Sequence, residues 1–213
     1  MISVIIASVD TELLKKVKIN IADTIGLNYE IISFENSNNK RGLCAIYNDG
    51  LQLANFPIIC FMHEDVSIKT KGWGAKVVRV FNENHNLGVL GLAGSSYKTF
   101  APSSWGIGGN ASTETYHFKQ KYKNTFKPDK LLKVNAIEGV LGDAVVVDGM
   151  WFCTTKSVGN EYIFDESNFK GFHCYDLDFC LQVGCKYDIK ITTDIFIEHF
   201  SEGGFNQDWV NET

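Results

Sequence analysis

Proline is scarce, with 3 residues in a chain of 213, so a proline-rich linker between domains is excluded. No apolar run approaches the roughly 18–20 residues that a membrane span requires, and no spanning helix is expected. Basic charge is in deficit: 20 Lys and Arg stand against 25 Asp and Glu, a formal net charge of −5. Phosphate-backbone binding needs a basic surface, so nucleic acid is not an expected partner. The 6 cysteines contain no C-x-x-C pair, which leaves a structural zinc site without support. The amino terminus enters an apolar run at once, with no basic segment or cleavage site before it, so no secretory signal is expected. With reduced thiols, the cytoplasm is the expected compartment. Internal repeats and low-complexity tracts are also missing.

What is present is ordinary globular composition: 45% hydrophobic and 21% charged, with aromatics at 13%. Residues 2–7 are almost continuously apolar, as in a strand buried on both faces. Asp10 then offers a helix cap, and Leu13, Leu14, Val17 and Ile21 follow at helical spacing. Residues 29–34 read as a second strand, 42–54 as a helix, and 57–62 as a third strand. A helix around Trp73, Val77 and Phe81 and a fourth strand over 87–93 complete a β-α-β-α-β-α-β series. Such a series predicts an α/β fold with a mostly parallel sheet flanked by helices, whose ligands bind beyond the carboxyl ends of the strands. Residues 95–130 read as one long loop or lid, holding Trp105, a glycine cluster at 106–109, and most of a lysine stretch made of Lys119, Lys121, Lys123, Lys127, Lys130 and Lys133. The lysines fit a solvated face, or a flap that touches a diphosphate or an anionic membrane surface. Regular structure resumes at 143–153, with a helix from about Asp176 and one or two strands over 189–200.

Three segments carry chemistry. His63-Glu64-Asp65 follows the third strand, where consecutive acids serve either as oxygen ligands for a hard cation or as caps of the next helix. Tyr175-Asp176-Leu177-Asp178 places two acids at i and i+2, which cannot share one helix face. One use is an N-cap with a second acid answering the helix dipole; another aims Asp176 into the space before the helix. Ile197-Glu198-His199-Phe200 holds a histidine among apolar neighbours, either a satisfied core group or a ligand, with glycines following at 203–204.

In this order the motifs resemble the GT-A glycosyltransferases, especially the bacterial family-two-like enzymes, over roughly residues 2–204. The resemblance implies a Rossmann-like GT-A domain over 1–213. Residues 1–94 would form its nucleotide-binding half, and 131–213 a small acceptor and catalytic half. Ser8 ends a strand similar to the family's nucleotide-binding first strand, and Glu35 and Asn36 stand where the family binds the base or ribose. Asn48, in Tyr47-Asn48-Asp49-Gly50-Leu51, resembles the family's Arg-Asn-x-Gly-Leu helix. Glu64 and Asp65 occupy the place of the Asp-x-Asp metal motif, and His199 that of a late metal ligand. Residues 147–152 are similar to the strand lining the acceptor side, and Asp176 and Asp178 fall on the segment that carries the catalytic base. His63 replaces the first acid of the metal motif, Tyr47 replaces the arginine, and no Gln-x-x-Arg-Trp motif follows, which argues against a processive synthase.

What the resemblance implies is therefore transfer of a sugar from a nucleotide-diphosphate sugar, UDP-sugar first, to a glycan or lipid-linked acceptor in bacterial surface glycan synthesis. The cofactor would be Mn2+ or Mg2+ held by Asp65 and His199, with Asp176 as the base of an inverting transfer. Peripheral contact at the inner face of the membrane is compatible with this. Trp105 and Trp151 are candidates for stacking on a sugar ring. A carboxylate at its ordinary pKa is a weak base, so positioning must supply much of the rate. Two other readings stand beside this one: a nucleotidyltransferase, disfavoured because Ala7-Ser8-Val9-Asp10 lacks a glycine-rich basic loop, and a non-catalytic nucleotide- or carbohydrate-binding module with the same fold.

Overall fold

The computed structural model describes residues 1–38, 40–106, 111–122, 126–201 and 209–210. Lys123, part of the glycine cluster at 106–109 and the glycines at 203–204 lie outside the described residues. The chain opens with β1 (Ile2–Ser8), α1 (Thr11–Thr24), β2 (Tyr29–Glu35), α2 (Leu43–Leu53) and β3 (Ile58–Met62). Then come β4 (Val66–Ile68), α3 (Trp73–Glu83), β5 (Leu87–Gly91), β6 (Ala93–Ser95), β7 (Glu114–Lys121) and β8 (Lys130–Val134). The remainder is β9 (Gly142–Ala144), β10 (Val146–Val147), β11 (Trp151–Thr155), α4 (Lys156–Glu161), α5 (Tyr175–Val183), β12 (Asp188–Ile191) and β13 (Ile197–Phe200).

The main sheet has seven strands in the order β2-β1-β3-β11-β5-β12-β9. β1 pairs in parallel with β2 and β3, and β12 with β5, while β11 and β9 run against their neighbours. The sheet is therefore mostly parallel in direction and flanked by helices. Side chains alternate between its two faces, because a strand repeats every two residues. Ile2, Val4 and Ile6 of β1 join Cys60 and Met62 of β3 in one core, with Val17 and Ile21 of α1 and Trp73 and Val77 of α3. Ile5 and Phe61 face the other core, with Ile46, Tyr47 and Leu51 of α2 and Phe179 and Cys180 of α5. Asp10 caps α1 as its position suggests, accepting hydrogen bonds from the backbone N–H groups of Glu12 and Leu13.

Two features differ from the sequence reading. The segment 95–130 is not loop throughout, since β7 lies inside it. That strand sits in a second sheet of order β10-β6-β7-β13-β4, with β8 pairing off β7. Its residues, Glu114–Lys121, alternate weakly and are half-buried at most positions, which hides the strand from a search for apolar periodicity. The fourth strand also splits: β5 stays in the main sheet and β6 passes to the second. Glycines permit that transfer. A Cβ on Gly91 would stand 2.6 Å from Val147, and one on Gly94 2.3 Å from the carbonyl oxygen of Val146.

Candidate active site and metal centre

Because β1, β2 and β3 are parallel, their carboxyl ends open on one edge of the main sheet. β3 ends at Met62, and His63-Glu64-Asp65 turns the chain from there into β4 of the second sheet. β11 runs the other way, with Trp151 opposite Met62, so the turn before it, 148–150, arrives at the same edge. The backbone N–H of His63 donates to the carbonyl of Met150 at 2.9 Å, which fixes that junction. β13 lies antiparallel to β4 with His199 opposite Val66, and the Phe200 N–H donates to the Asp65 carbonyl at 2.9 Å. The two sheets thus deliver His63, Asp65 and His199 to one point.

Each of these three residues offers one ligand atom, and the atoms lie within 4.8 Å of one another. His199 Nε2 stands 3.5 Å from Asp65 Oδ1, and His63 Nδ1 stands 3.9 Å from the same oxygen. That oxygen is buried and has no hydrogen-bond partner of ordinary geometry. A buried carboxylate oxygen without a partner is costly, and a cation between the three groups removes the cost. The residues therefore fit a divalent ion. Two imidazoles and one carboxylate suit Mn2+ or a later first-row metal better than Mg2+, which prefers oxygen ligands throughout.

Charge follows the same geometry. Burial pushes the Asp65 carboxyl up, but His199 and His63 outweigh it and hold the group below the usual carboxylate range. Burial lowers the pKa of His63. His199 also loses solvent, yet its contact with Asp65 and the further charge of Asp148 raise its pKa.

The candidate base arrives from α5. Asp176 Oδ2 accepts from the Gly149 N–H at 2.7 Å, and Oδ1 from the Leu177 N–H at 2.9 Å. Burial, then the neighbouring Asp148 carboxylate, push its pKa up to about 7. A base with a pKa near neutrality is far better matched to accepting a hydroxyl proton than an ordinary carboxylate. Asp176 is not the helix cap. Cys174 holds that position without a side-chain cap bond, and Asp176 reaches back to the turn before β11. Asp178 lies in the first turn of α5 but is not brought into this cluster. It accepts from Gln182 Nε2 at 2.6 Å, and burial together with Asp165 raises its pKa.

Ser8 and Asn36 meet at the ends of β1 and β2, where the Asn36 N–H donates to the Ser8 carbonyl at 2.6 Å. Glu35 is the exposed last residue of β2. The Asn36 side chain is tied to Arg41, accepting from its N–H at 3.2 Å and donating to its carbonyl at 2.9 Å. Glu64 accepts from the Val9 and Asp10 N–H groups at 3.1 and 3.2 Å and joins the end of β3 to the loop after β1. Asn48 sits elsewhere: its amide donates to the Phe164 carbonyl and accepts from the Phe164 N–H, both at 2.9 Å. It clamps α2 to the 164 segment.

Trp151 requires a correction. It is 0% exposed and packs edge-on to Trp73 at 5.8 Å, inside the core on the α1 and α3 side. The alternation of β11 turns its ring inward, so it cannot stack on a sugar. Trp105 is packed edge-on to Tyr116 at 5.8 Å. The aromatic ring that does face outward here is Phe172, 55% exposed with its ring 5.5 Å from that of His63. Sequence reasoning also passed over Asp148, whose charge acts on His63, His199 and Asp176 together. Its signal was the Val147-Asp148-Gly149 turn, an acid at the mouth of a buried strand. Lys119 and Lys121 of β7 form ion pairs with Asp129 and Glu198, so they belong to a strand and are not a flap.

The family described as "Glycosyltransferase like family" matches residues 3–209. The chain belongs to that family. The fold is shared with solved GT-A structures at low identity. GalNAc-T7, solved with UDP, GalNAc and Mn2+, superposes with a TM-score of 0.59 at 9% identity, over 94% of this chain and 44% of that one. The S. aureus TarS fragment 1–349 in complex with UDP-GlcNAc gives 0.60 at 13% identity, over 96% and 59%. A197 from STIV gives 0.50 at 15% identity, over 94% and 86%. This chain spans about half the length of the first two, 44% and 59%. No curated protein matches it in sequence. Among the described residues no helix is long and apolar enough to cross a membrane.

Proposed function

We propose that this chain is a metal-dependent glycosyltransferase that moves a sugar from a UDP-sugar to a hydroxyl of a glycan or lipid-linked acceptor, inverting the anomeric centre. The observation that carries the reading is the buried Asp65 oxygen, facing two imidazoles with no hydrogen bond of ordinary geometry, at the carboxyl ends of the strands. His63, Asp65 and His199 would hold the ion. A divalent ion supplies electrostatic stabilisation of the departing nucleotide diphosphate.

The rest is done by the chain's own groups. Ser8, Glu35 and Asn36 line the strand ends where the base and ribose would rest. The Val9 and Asp10 N–H groups, now closed by Glu64, are an anion-compatible pair at the start of α1. Asp176 accepts the proton of the attacking hydroxyl, and the Gly149 and Leu177 N–H groups hold its carboxylate in one orientation. Phe172 offers an apolar face at the mouth of the site for a sugar ring. UDP-bound and UDP-GlcNAc-bound relatives support UDP as the first donor to try. We place the enzyme in the cytoplasm, meeting its acceptor at the inner membrane face during surface glycan synthesis.

The test is calorimetric titration of UDP in the presence of Mn2+, repeated with EDTA and with Asp65→Ala. Binding that needs both the metal and Asp65 supports the donor site. Binding that persists under EDTA and in Asp65→Ala removes the metal from the reading. If UDP binds but no UDP-sugar is turned over, with or without acceptor, the chain is a binding module.

A further inference from the structure

The metal cluster and the candidate base are joined by one side chain. Tyr175 Oη lies 2.7 Å from His63 Nε2, and Tyr175 immediately precedes Asp176 at the start of α5. Three features of the fold serve that single contact. The Tyr175 ring is buried, set edge-on to Tyr47 at 5.4 Å, which leaves its hydroxyl little freedom of position. The hydroxyl passes over Gly149, where an added Cβ would meet it at 2.1 Å, so only glycine leaves room for it. Cys174, the residue before it, has φ of 62°, a left-handed backbone that a side chain bearing Cβ adopts at a cost. Local strain and a glycine thus hold one hydroxyl against one imidazole nitrogen.

We infer that Tyr175 is a positioning residue for the metal: its hydroxyl accepts from His63 Nε2–H and leaves Nδ1 as the ligand atom. The inference rests on the metal reading above and extends it. A neutral imidazole has one N–H and one lone pair, and the hydrogen bond at one nitrogen decides which the other presents. Nδ1 is the nitrogen that faces Asp65, at 3.9 Å. A phenol can accept from Nε2–H, so the ring is held in the tautomer that binds. The same residue carries the backbone of Asp176, so the ligand and the base are set by the first turn of one helix.

The experiment uses the full chain, 15N-labelled and loaded with 113Cd2+ as a diamagnetic stand-in. His63 signals are assigned by their loss in His63→Gln. The expected result is coupling of 113Cd to Nδ1 of His63, with a slowly exchanging Nε2–H that disappears in Tyr175→Phe. Alongside, Mn2+ binding measured by the free-ion electron spin resonance signal should weaken by about 10–100-fold in Tyr175→Phe. A purely structural role for the tyrosine would lower the melting temperature without moving the coupling pattern. Coupling of 113Cd to Nε2 overturns the inference, and so does unchanged Mn2+ affinity in Tyr175→Phe. Failure of the wild-type chain to bind either ion overturns the metal reading itself, a result distinct from both. Because the coupling is read on the wild-type protein, the question is answered even if Tyr175→Phe does not fold.

Discussion

Asp176 is held by groups that work against its charge. Two N–H groups stabilise the carboxylate, while burial and Asp148 destabilise it more, so its pKa in the folded chain is about 7 against an ordinary 3.8. A carboxyl raised on folding favours the folded state when protonated. That stability is fully present below about pH 4 and is lost as pH rises through about 7. Two outcomes follow for Asp176→Asn, which cannot ionise. The melting temperature of the variant should gain on wild type by roughly 5–10 °C between pH 5 and pH 8, read by calorimetric scans at both values. Turnover should fall about 10²–10⁴-fold, while in wild type kcat/KM should climb with pH and level off above about 7. A flat pH profile with undiminished turnover would remove Asp176 from the role of base. The acids themselves were legible, because Asp65 and Asp176 follow or begin regular elements and their neighbours in sequence announce them. The raised pKa was not, since it comes first from burial in the folded chain and then from Asp148, 28 positions away. Nor was the burial of Trp151, because an aromatic residue at a strand start reads alike whether it faces core or cleft.

At the scale of elements, the site is made by short connections between strands and helices. The turn 148–150 meets Tyr175 and Asp176 at Gly149, and the segment before them carries Phe172 outward beside His63. An apolar ring left 55% exposed at the mouth of a polar site is poorly explained by packing. Phe172→Ala should raise KM for the sugar donor or the acceptor by roughly 10-fold, the scale of a lost aromatic contact, and leave Mn2+ affinity unchanged. Unchanged KM for both substrates would deny it a substrate contact. The helices and buried strands of the first 94 residues were legible, since apolar runs and periodic spacing suffice for elements buried on known faces. β7 was not, nor was the division of the regular stretch 143–153 into β9, β10 and β11: β7, β9 and β10 are short or half-buried, and pairing is decided by distant partners such as β13 and β12. His199 shows the consequence. Its own neighbours left it open between core and ligand, and only the register of β13 against β4 puts it beside Asp65.

The whole molecule is arranged so that its two sheets share the site. Asp65 lies between β3 of the main sheet and β4 of the second, His199 comes from β13 of the second, and Asp176 from α5 packed on the main sheet. A series of strands and helices was enough to predict the main sheet and the edge on which the candidate site lies. It was not enough to foresee a second sheet closing over that edge, because its strands come from four separate stretches of chain. A ligand bound at this junction bridges both sheets, so it should stabilise the chain as one cooperative unit. Binding at about a hundredfold excess over Kd contributes about 2.7 kcal/mol to the folded state. For a domain of this size that corresponds to a rise in melting temperature of about 5–10 °C. Mn2+ and UDP together should therefore raise a single calorimetric transition by that amount, EDTA should reverse it, and Asp65→Ala should abolish it. Two separate transitions, only one of them moved by ligand, would show instead that the sheets unfold independently and that the site belongs to one of them.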